Sequence, residues 1–489
     1  MSDIDDVFAL LGFGKMQYIV LFACLVMQMW ITNEQMGIAV VIAGASCELE
    51  IVDYRVAWLM ACNFGSQMLS CYMWGELSDG FGRRRVILIA GLTAILLSLL
   101  SACMPEFWSF LVLRTLQGFF ISGSLVCTMT YLSEFTKVSL RPRVQNIMSY
   151  AIGLSLIYVP SLAGVLLPLE MEPIGGWRIL LICNQIPGIL GLISLIFLPE
   201  SPKYCLSTGN PEKAMNIMEK VCRLNKGKDV TLASLGVDSL TQPRLRPSQM
   251  VKDRCHDTKN LMTTHARFMC IFFFIFFSLS GIAFALPIWM LRIRVLVSHF
   301  EEPQTICDHL KGVRPERSQE CELGFKEMMD PIIHGFVVLG LFVLTSVLLI
   351  CLKRRIVIVT YTVVAIAGCV ALNFMKHPDL ILASFFAIID PPLCSIRLAG
   401  SLLIDLVPTH LRGKAFALIS MLGRCGVLIT SLYVGYTLTH SCLVTFNLLI
   451  LILLGKQLLS LKMYILPKEN PQFAAYWCCC YQRMLKLEV

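Results

Sequence analysis

Five ionisable residues stand inside stretches that are otherwise too apolar for them. Glu34, between Asn33 and Gln35, interrupts a run from Tyr18 to Gly44, and Arg114 lies roughly two turns into a run from Phe107 to Tyr131. Asp390 and Arg397 share a run from Leu380 to Leu403, and Arg424 is near the middle of one from Gly413 to Leu438. A charge that deep in hydrocarbon is costly, so each needs a partner, a wet cavity or a task. The chemistry open to such groups is reversible binding. A carboxylate takes up a proton or holds a cation, and a guanidinium holds an anion or balances a carboxylate. Glu34 has all three uses open to it: cation binding, uptake of a coupling proton, or pairing with a buried arginine. Arg114 is either such a structural partner or a group that handles an anion. Arg424 cannot easily reach a surface, and charge balance favours pairing it with Glu34 or Asp390. Arg397, two turns beyond Asp390, can snorkel toward the membrane surface.

Two prolines, Pro391 and Pro392, follow Asp390 directly and are expected to break their helix. That makes Asp390 either a ligand at a midplane discontinuity or an N-cap of the second half-helix. Aromatic rings can complete a cavity for an organic ion, because their faces attract cations. Tyr158 beside Pro160 and Trp289 beside Pro287 are the preferred candidates, with Trp30 and Tyr150 behind them; the Phe272-Phe273-Phe274 run reads mainly as lipid-facing.

The elements that must position these residues are membrane helices. The chain has 489 residues, 56% hydrophobic and 15% charged, with a mean hydropathy of +0.71, far beyond what a soluble domain of that length carries. Apolar runs of about 20 residues predict spans near Tyr18 to Gly44, Val56 to Leu77, Val86 to Cys103, Phe107 to Tyr131, Gln145 to Pro168 and Trp177 to Leu198. Six more follow near Arg267 to Met290, Pro331 to Leu352, Ile356 to Phe374, Leu380 to Leu403, Gly413 to Leu438 and Cys442 to Tyr464. The fold class expected is an all-α membrane protein: residues 1–198 form one six-helix bundle and 267–464 the other. Residues 199–266 are a polar linker containing an amphipathic stretch, and 465–489 a tail.

The acidic start, Met1-Ser2-Asp3-Ile4-Asp5-Asp6, lacks the basic region of a cleavable signal, so the first span is expected to direct insertion. Arg83, Arg84 and Arg85, Lys137, Arg141 and Arg143, Lys353 to Arg355, and Arg412 with Lys414 all fall on one face, which predicts that face and both termini to be cytoplasmic. The net charge of +8 is accounted for by these loops and does not suggest nucleic acid. No G-x-x-x-x-G-K-[ST] phosphate loop is present, which argues against an ATP-driven pump. No constellation supports an enzyme, and no cofactor or metal site is implied.

A short polar hinge, Gly75-Glu76-Leu77-Ser78-Asp79-Gly80-Phe81-Gly82-Arg83-Arg84-Arg85, separates the second and third spans. Gly75 is expected to admit a neighbouring helix closely. Asp79 is expected to cap the next helix and pair with the arginines, and Gly80 and Gly82 to permit a tight reversal. This hinge resembles the signature loop of the major facilitator superfamily. Arg114-Thr115-Leu116-Gln117-Gly118, Tyr131 to Phe135 with Glu134, Gly176-Trp177-Arg178, Pro199-Glu200-Ser201-Pro202-Lys203 and Asp405 to Gly413 are similar to further elements of that superfamily. The opening Phe8 to Tyr18 resembles the branch that holds the synaptic vesicle glycoprotein 2 family and the organic cation and anion transporters. The resemblance implies alternating access. It also implies that Gly75, Asp79, Gly82, Arg83, Arg84, Glu134, Arg141, Glu200, Asp405 and Arg412 form cytoplasmic clasps that bias the two states; the bland alternative is that they only set orientation. The second-half counterpart, Cys351-Leu352-Lys353-Arg354-Arg355, keeps its charge without the glycine and aspartate. The branch carries two acids three apart where this chain has Ile31 and Glu34, so only half of that pair remains.

Most of the 21 cysteines lie inside spans as small apolar fillers. Cys307 and Cys321, on the face opposite the hinge, are expected to form a disulfide, with Cys47 in the first external loop the odd one out and a competitor for a partner. Cys478, Cys479 and Cys480 form a candidate lipidation cluster. No N-x-[ST] sequon is present, which weakens any role that needs a glycosylated ectodomain. The function expected is secondary transport of a small organic ion or polar metabolite, with a possible coupling proton or ion, in a plasma or vesicle membrane. The alternatives are a facilitative sugar carrier and a non-transporting vesicle membrane protein with a trafficking or regulatory role.

Overall fold

The computed structural model describes residues 2–169, 175–241, 263, 266–287, 289–290, 293, 305–308, 325–406, 412–438 and 441–469. A short amphipathic helix, α1 (Ile4–Leu11), precedes the first six long helices: α2 (Lys15–Ala45), α3 (Asp53–Phe81), α4 (Arg83–Ala102), α5 (Phe107–Glu134), α6 (Arg141–Leu166) and α7 (Gly176–Phe197). Two linker helices, α8 (Pro202–Ser207) and α9 (Pro211–Lys226), come next. The second set is α10 (Ala266–Ser280, continued by a π-turn), α11 (Phe325–Cys351), α12 (Arg354–Leu372), α13 (Pro378–Leu406), α14 (Arg412–Thr437) and α15 (Cys442–Glu469). Among the described residues, eleven helices are long and apolar enough to cross a membrane. The twelfth is α3, 29 residues long, which about 43 Å of helix makes ample for a bilayer. Asn63, Ser66, Gln67 and Ser70 lower its apolar content, because this helix faces the protein interior more than lipid.

The two six-helix bundles meet along two seams, α3 on α14 and α6 on α11. In the second seam the backbones nearly touch. A Cβ on Gly335 would lie 2.7 Å from the Ile157 backbone, and one on Gly153 2.9 Å from Leu339 Cα, so only glycine allows this approach. Polar bridges add specificity at the seams: Asn146 Nδ2 donates to Ser346 Oγ at 2.6 Å, and Trp58 Nε1 to the Tyr436 hydroxyl (Oη) at 3.0 Å.

Three backbone features position the interior polar groups. The first helix of each bundle contains a π-turn, Asn33–Gly37 in α2 and Gly281–Ala285 after α10; such turns rotate consecutive side chains inward and recur at functional sites. Helix α7 is interrupted between Cys183 and Ile186, leaving Asn184 and Gln185 buried in the gap. The expected break at Pro391-Pro392 is absent. Helix α13 runs through both prolines, as membrane helices allow when neighbouring helices pack around them; Ser395 Oγ donates to the Pro391 carbonyl, one turn earlier, at 2.8 Å.

On the hinge face, α1 buries Ile4, Val7, Phe8 and Leu11 against Ala214, Ile217, Met218 and Val221 of α9. A two-residue parallel strand pair, Ser2–Asp3 with Leu240–Thr241, closes this unit. On the opposite face, Cys307 is bonded not to Cys321 but to Cys442, with Cα atoms 5.4 Å apart. Tertiary proximity of the loop to the start of α15 outweighs sequence proximity. Cys47, the odd cysteine that competes for a partner, is itself disulfide-bonded. Cys321, Cys478, Cys479 and Cys480 lie outside the described residues.

Candidate functional site

The π-turn of α2 buries Glu34 almost completely and surrounds its carboxylate with donors from three helices. Arg114 Nη1 of α5 pairs with Oε2 at 2.8 Å, and Gln117 Nε2, one turn on, donates to the same oxygen at 3.0 Å. Gln185 Nε2 from the gap in α7 donates to Oε1 at 2.6 Å, and Ser98 Oγ of α4 lies 3.3 Å from both oxygens. Gln185 is held in turn by Trp30 Nε1, which donates to its Oε1 at 2.9 Å. Arg114 is as buried as its partner, and its Nε and Nη2 atoms have no hydrogen-bond partner; the guanidinium lies over the Phe110 ring at 5.9 Å. Of the uses open to Glu34, pairing with a buried arginine is the one this arrangement displays.

From this pair a chain of amides crosses toward the other bundle. Gln117 Oε1 accepts from Asn63 Nδ2 at 3.3 Å, Asn63 Oδ1 accepts from Gln67 Nε2 at 2.7 Å, and Gln67 Oε1 accepts from Gln35 Nε2 at 2.7 Å and from Arg424 Nε at 3.3 Å. Asn63 and Gln67 are four residues apart on α3, so one helix face presents both. Arg424 therefore pairs with neither Glu34 nor Asp390, in contrast to the charge-balance expectation; each acid already has a basic side chain closer to hand. Asn33 Oδ1 accepts from Ser155 Oγ of α6, which places it beside the chain rather than in it.

In the second bundle, Asp390 is neither a cap nor at a break. It sits mid-helix with Oδ1 2.7 Å from His334 Nε2 of α11 and Oδ2 without a partner, and the imidazole stacks on Phe386 with ring centres 5.1 Å apart. Arg397 lies two turns from Asp390 on the same helix and is half-buried. Tyr158 donates to the Cys183 carbonyl at 3.0 Å, bracing the gap in α7. Trp289 is packed in an apolar cluster with Ala57, Ile282 and Val434. Lys456 of α15 is fully buried, with its ammonium donating to Thr362 Oγ1 of α12.

The hinge is built differently from its expected form. Gly82 turns the chain at φ +99°, but Gly80 is helical, and a Cβ on Gly75 or Gly80 would meet open space. Asp79 does pair with Arg83 at 2.7 Å, yet the cap of α4 comes from Glu200, whose Oε1 accepts from Arg84 N at 2.9 Å and whose Oε2 accepts from Arg85 N at 3.4 Å. A carboxylate on a helix N-terminus satisfies orphan donors and the dipole together. A Cβ on Gly82 would lie 2.6 Å from that carboxylate, which explains glycine there. Glu134 pairs with Arg83 Nε at 3.1 Å, not with Arg141; Arg141 Nη2 pairs with Asp5 at 2.9 Å, and Lys203 meets the same acid at 2.5 Å. Arg84 donates to the Leu195 carbonyl at 2.8 Å. These ties all lie within the first bundle and its flanking helices α1 and α8. The side chains of Asp405 and Arg412 lie outside the described residues.

Sequence reasoning missed Ser98, Gln117, Gln185, Asn63, Gln67, His334, Lys456 and, on the opposite face, Glu48. The signal for the amides was available as polar residues at helical spacing in apolar runs. Glu48 accepts from Trp177 Nε1 at 2.6 Å and pairs with Arg178 at 2.5 Å, which gives the Gly176-Trp177-Arg178 element a purpose. Partial burial pushes the Glu48 carboxyl up, but the Arg178 and Trp177 hydrogen bonds and the Arg178 charge outweigh it, leaving the group below its ordinary range.

The xylose transporter XylE of E. coli, in a partially occluded inward open conformation, superposes with a TM-score of 0.68 over 91% of this chain and 97% of its own, at 15% identity. Synaptic vesicle 2-related protein of Xenopus laevis is 30% identical over 45% of this chain and 39% of its own length. Organic cation/carnitine transporter 7 of Arabidopsis thaliana is 28% identical over 46% and 43%. The chain thus spans under half the length of the curated relatives it matches. The family described as "Sugar (and other) transporter" matches residues 12–287, more than half of the chain. With the fold, the hinge and the buried polar chain alongside that match, the chain belongs to the sugar (and other) transporter family, multi-pass membrane proteins of the major facilitator fold.

Proposed function

We propose that the protein is a secondary transporter that moves a small organic ion or polar metabolite by alternating access, with the central polar chain as its site. The observation that carries this reading is the unbroken hydrogen-bonded path from Glu34 in one bundle to Arg424 in the other. A path whose two ends belong to separate bodies changes when those bodies rock, so binding at the seam is coupled to conformation. Glu34 and Arg114 are the coupling pair in this proposal: protonation of Glu34 releases Arg114, freeing Nη1 to join Nε and Nη2, which already lack partners. Tyr158 and Trp289 serve as supports of α7 and α10 rather than as ligand contacts. The Gly82, Arg83, Arg84, Glu134 and Glu200 assembly acts as a rigid base for the first bundle, on the cytoplasmic side, and Asp405 with Arg412 are the gating candidates on the second.

The test is uptake by the purified protein in liposomes, with and without an imposed pH gradient. Saturable uptake that responds to the gradient, and loses that response in Glu34→Gln, is the expected result; gradient-driven uptake unchanged in Glu34→Gln refutes the coupling role. A facilitative sugar carrier is a second reading. The run of amides Gln35, Asn63, Gln67, Gln117 and Gln185 favours it, since amides pair well with sugar hydroxyls; saturable sugar uptake indifferent to the gradient would select it. Absence of uptake for every solute class would leave the non-transporting membrane protein.

A further inference from the structure

The second bundle holds an acid and a base that the central polar chain does not use. Asp390 of α13 and His334 of α11 are both buried, and Oδ1 lies 2.7 Å from Nε2. Phe386, one turn before Asp390 on the same helix face, stacks on the imidazole with ring planes 10° apart, which holds the ring edge toward the carboxylate. The other oxygen, Oδ2, is buried without a hydrogen-bond partner. A buried acceptor left unsatisfied is costly, and ionisable residues inside membrane spans are characteristically functional. Among the described residues no hydrogen bond joins this pair to Glu34 or to the amides beside it.

Few other ionisable groups reach this depth. On the same two helices they are Asp330, one turn before His334, and Cys394 and Arg397, one and two turns beyond Asp390. Helix α12 brings Tyr361, α14 brings Arg424, and α6 brings Tyr150 and Tyr158; α10 brings none among residues 271–285. Tyr361 is engaged by Thr345, Tyr150 by Ser346, Tyr158 by the Cys183 carbonyl and Arg424 by Gln67. None of these groups bonds Oδ2.

We propose that the His334–Asp390 pair is a proton-binding site of the second bundle, separate from Glu34, whose occupancy sets the packing of the α6–α11 seam. Two groups this close titrate as one unit. With His334 Nε2–H donating to Oδ1, the pair carries one negative charge; a proton arriving from water at Oδ2 makes it neutral, and its departure restores the charge. An imidazole suits such a site because small changes around it move its protonation across the physiological range. The seam reads the difference through two contacts. His334 directly precedes Gly335, whose backbone meets α6 so closely that a Cβ there would lie 2.7 Å from Ile157 N, and Leu393 and Cys394, one turn beyond Asp390, pack with Ile152 and Leu156 of α6. A change in the bond between α11 and α13 therefore falls on the one helix that both touch. This role goes beyond the transport reading, and testing it needs no substrate.

The full chain in liposomes is titrated from about pH 8 to about pH 5 by infrared difference spectroscopy, which reads the carbonyl band of a buried protonated carboxyl apart from those of exposed acids. Hydrogen exchange at residues 146–157 and 335–346, corrected for the intrinsic pH dependence of exchange, is followed alongside. Glu34→Gln should keep a buried-carboxyl band and a pH-dependent change at the seam, and Glu34→Gln/Asp390→Asn should lose both. Glu34→Gln/His334→Gln should shift the midpoint of the band, because the amide still donates to Oδ1 but does not titrate. Absence of the band in Glu34→Gln, or its persistence once Asp390 is replaced, overturns the site. A band without any change at the seam overturns the link to packing. If the Asp390 variant fails to fold, the His334 variant decides, and an unmoved midpoint overturns the pair. Absence of solute uptake would defeat the transport reading and leave each of these outcomes readable.

Discussion

The two bundles share a topology and differ in how they treat charge. The first helix of each contains a π-turn, but Asn33–Gly37 carries Asn, Glu and Gln inward, whereas Gly281–Ala285 is G-I-A-F-A and carries nothing ionisable. Among the described residues of the first bundle the deep charges are paired, with both oxygens of Glu34 bonded and Arg114 bound to it through Nη1. The hinge of that bundle is likewise complete, capped by Glu200 and crossed by Arg83 to Asp79 and Glu134. Deep in the helices of the second bundle, Arg397 and Arg424 meet no acid among the described residues. A saturated polar centre holds shape and switches only when a proton or partner changes; an unsaturated one is chemically ready to bind. The difference teaches that duplicated halves can divide these tasks without departing from one fold.

Removing half of the Glu34–Arg114 pair should give the largest effect. Glu34→Ala strands a buried guanidinium and should cost about 3–5 kcal/mol, read as a lowered melting temperature, with Glu34→Ala/Arg114→Ala recovering much of the loss. The contrasting substitution, Arg424→Ala, should cost under about 1 kcal/mol or stabilise, since it removes an uncompensated charge; a loss as large as that at Glu34 would break the comparison. Reducing the second bundle's Cys307–Cys442 bond through Cys442→Ser should cost about 2–4 kcal/mol, and Cys307→Ser should match it, whereas Cys321→Ser should not behave as their partner in mass-mapped peptides. Glu200→Gln should cost about 1 kcal/mol by weakening the α4 cap, measured by hydrogen exchange at residues 84–86. The smallest effect is at Glu48. Its folded value lies below the unfolded one, so its contribution is complete above the ordinary carboxylate value near about 4.3 and fades as pH falls through the folded value. Hydrogen exchange around residues 46–51 should therefore accelerate on acidification from neutral pH, and Glu48→Gln should remove that dependence.

Much of the architecture was legible in the residues themselves. Apolar runs of bilayer length set the spans to within a few positions, and the deep residues Glu34, Arg114, Asp390, Arg397 and Arg424 stood out because hydrocarbon tolerates so few charges. Arg83 with Asp79 was readable as an i,i+4 pair. The span α3 was readable in spite of its polar face.

What only the tertiary structure decided is partnership. Glu200 caps a helix more than a hundred residues away, Gln185 reaches Glu34 through a gap in α7, His334 takes Asp390 before Arg424 can, and Cys307 meets Cys442 across 135 residues. The physical reason is one of range. Transfer of a side chain from water to hydrocarbon is a property of each residue and its near neighbours in the chain, so the sequence by itself determines which segments span and which charges are anomalous. Which partner satisfies each charge depends on distances between helices that are set by packing of the whole, and those distances exist only once the bundles have closed on one another.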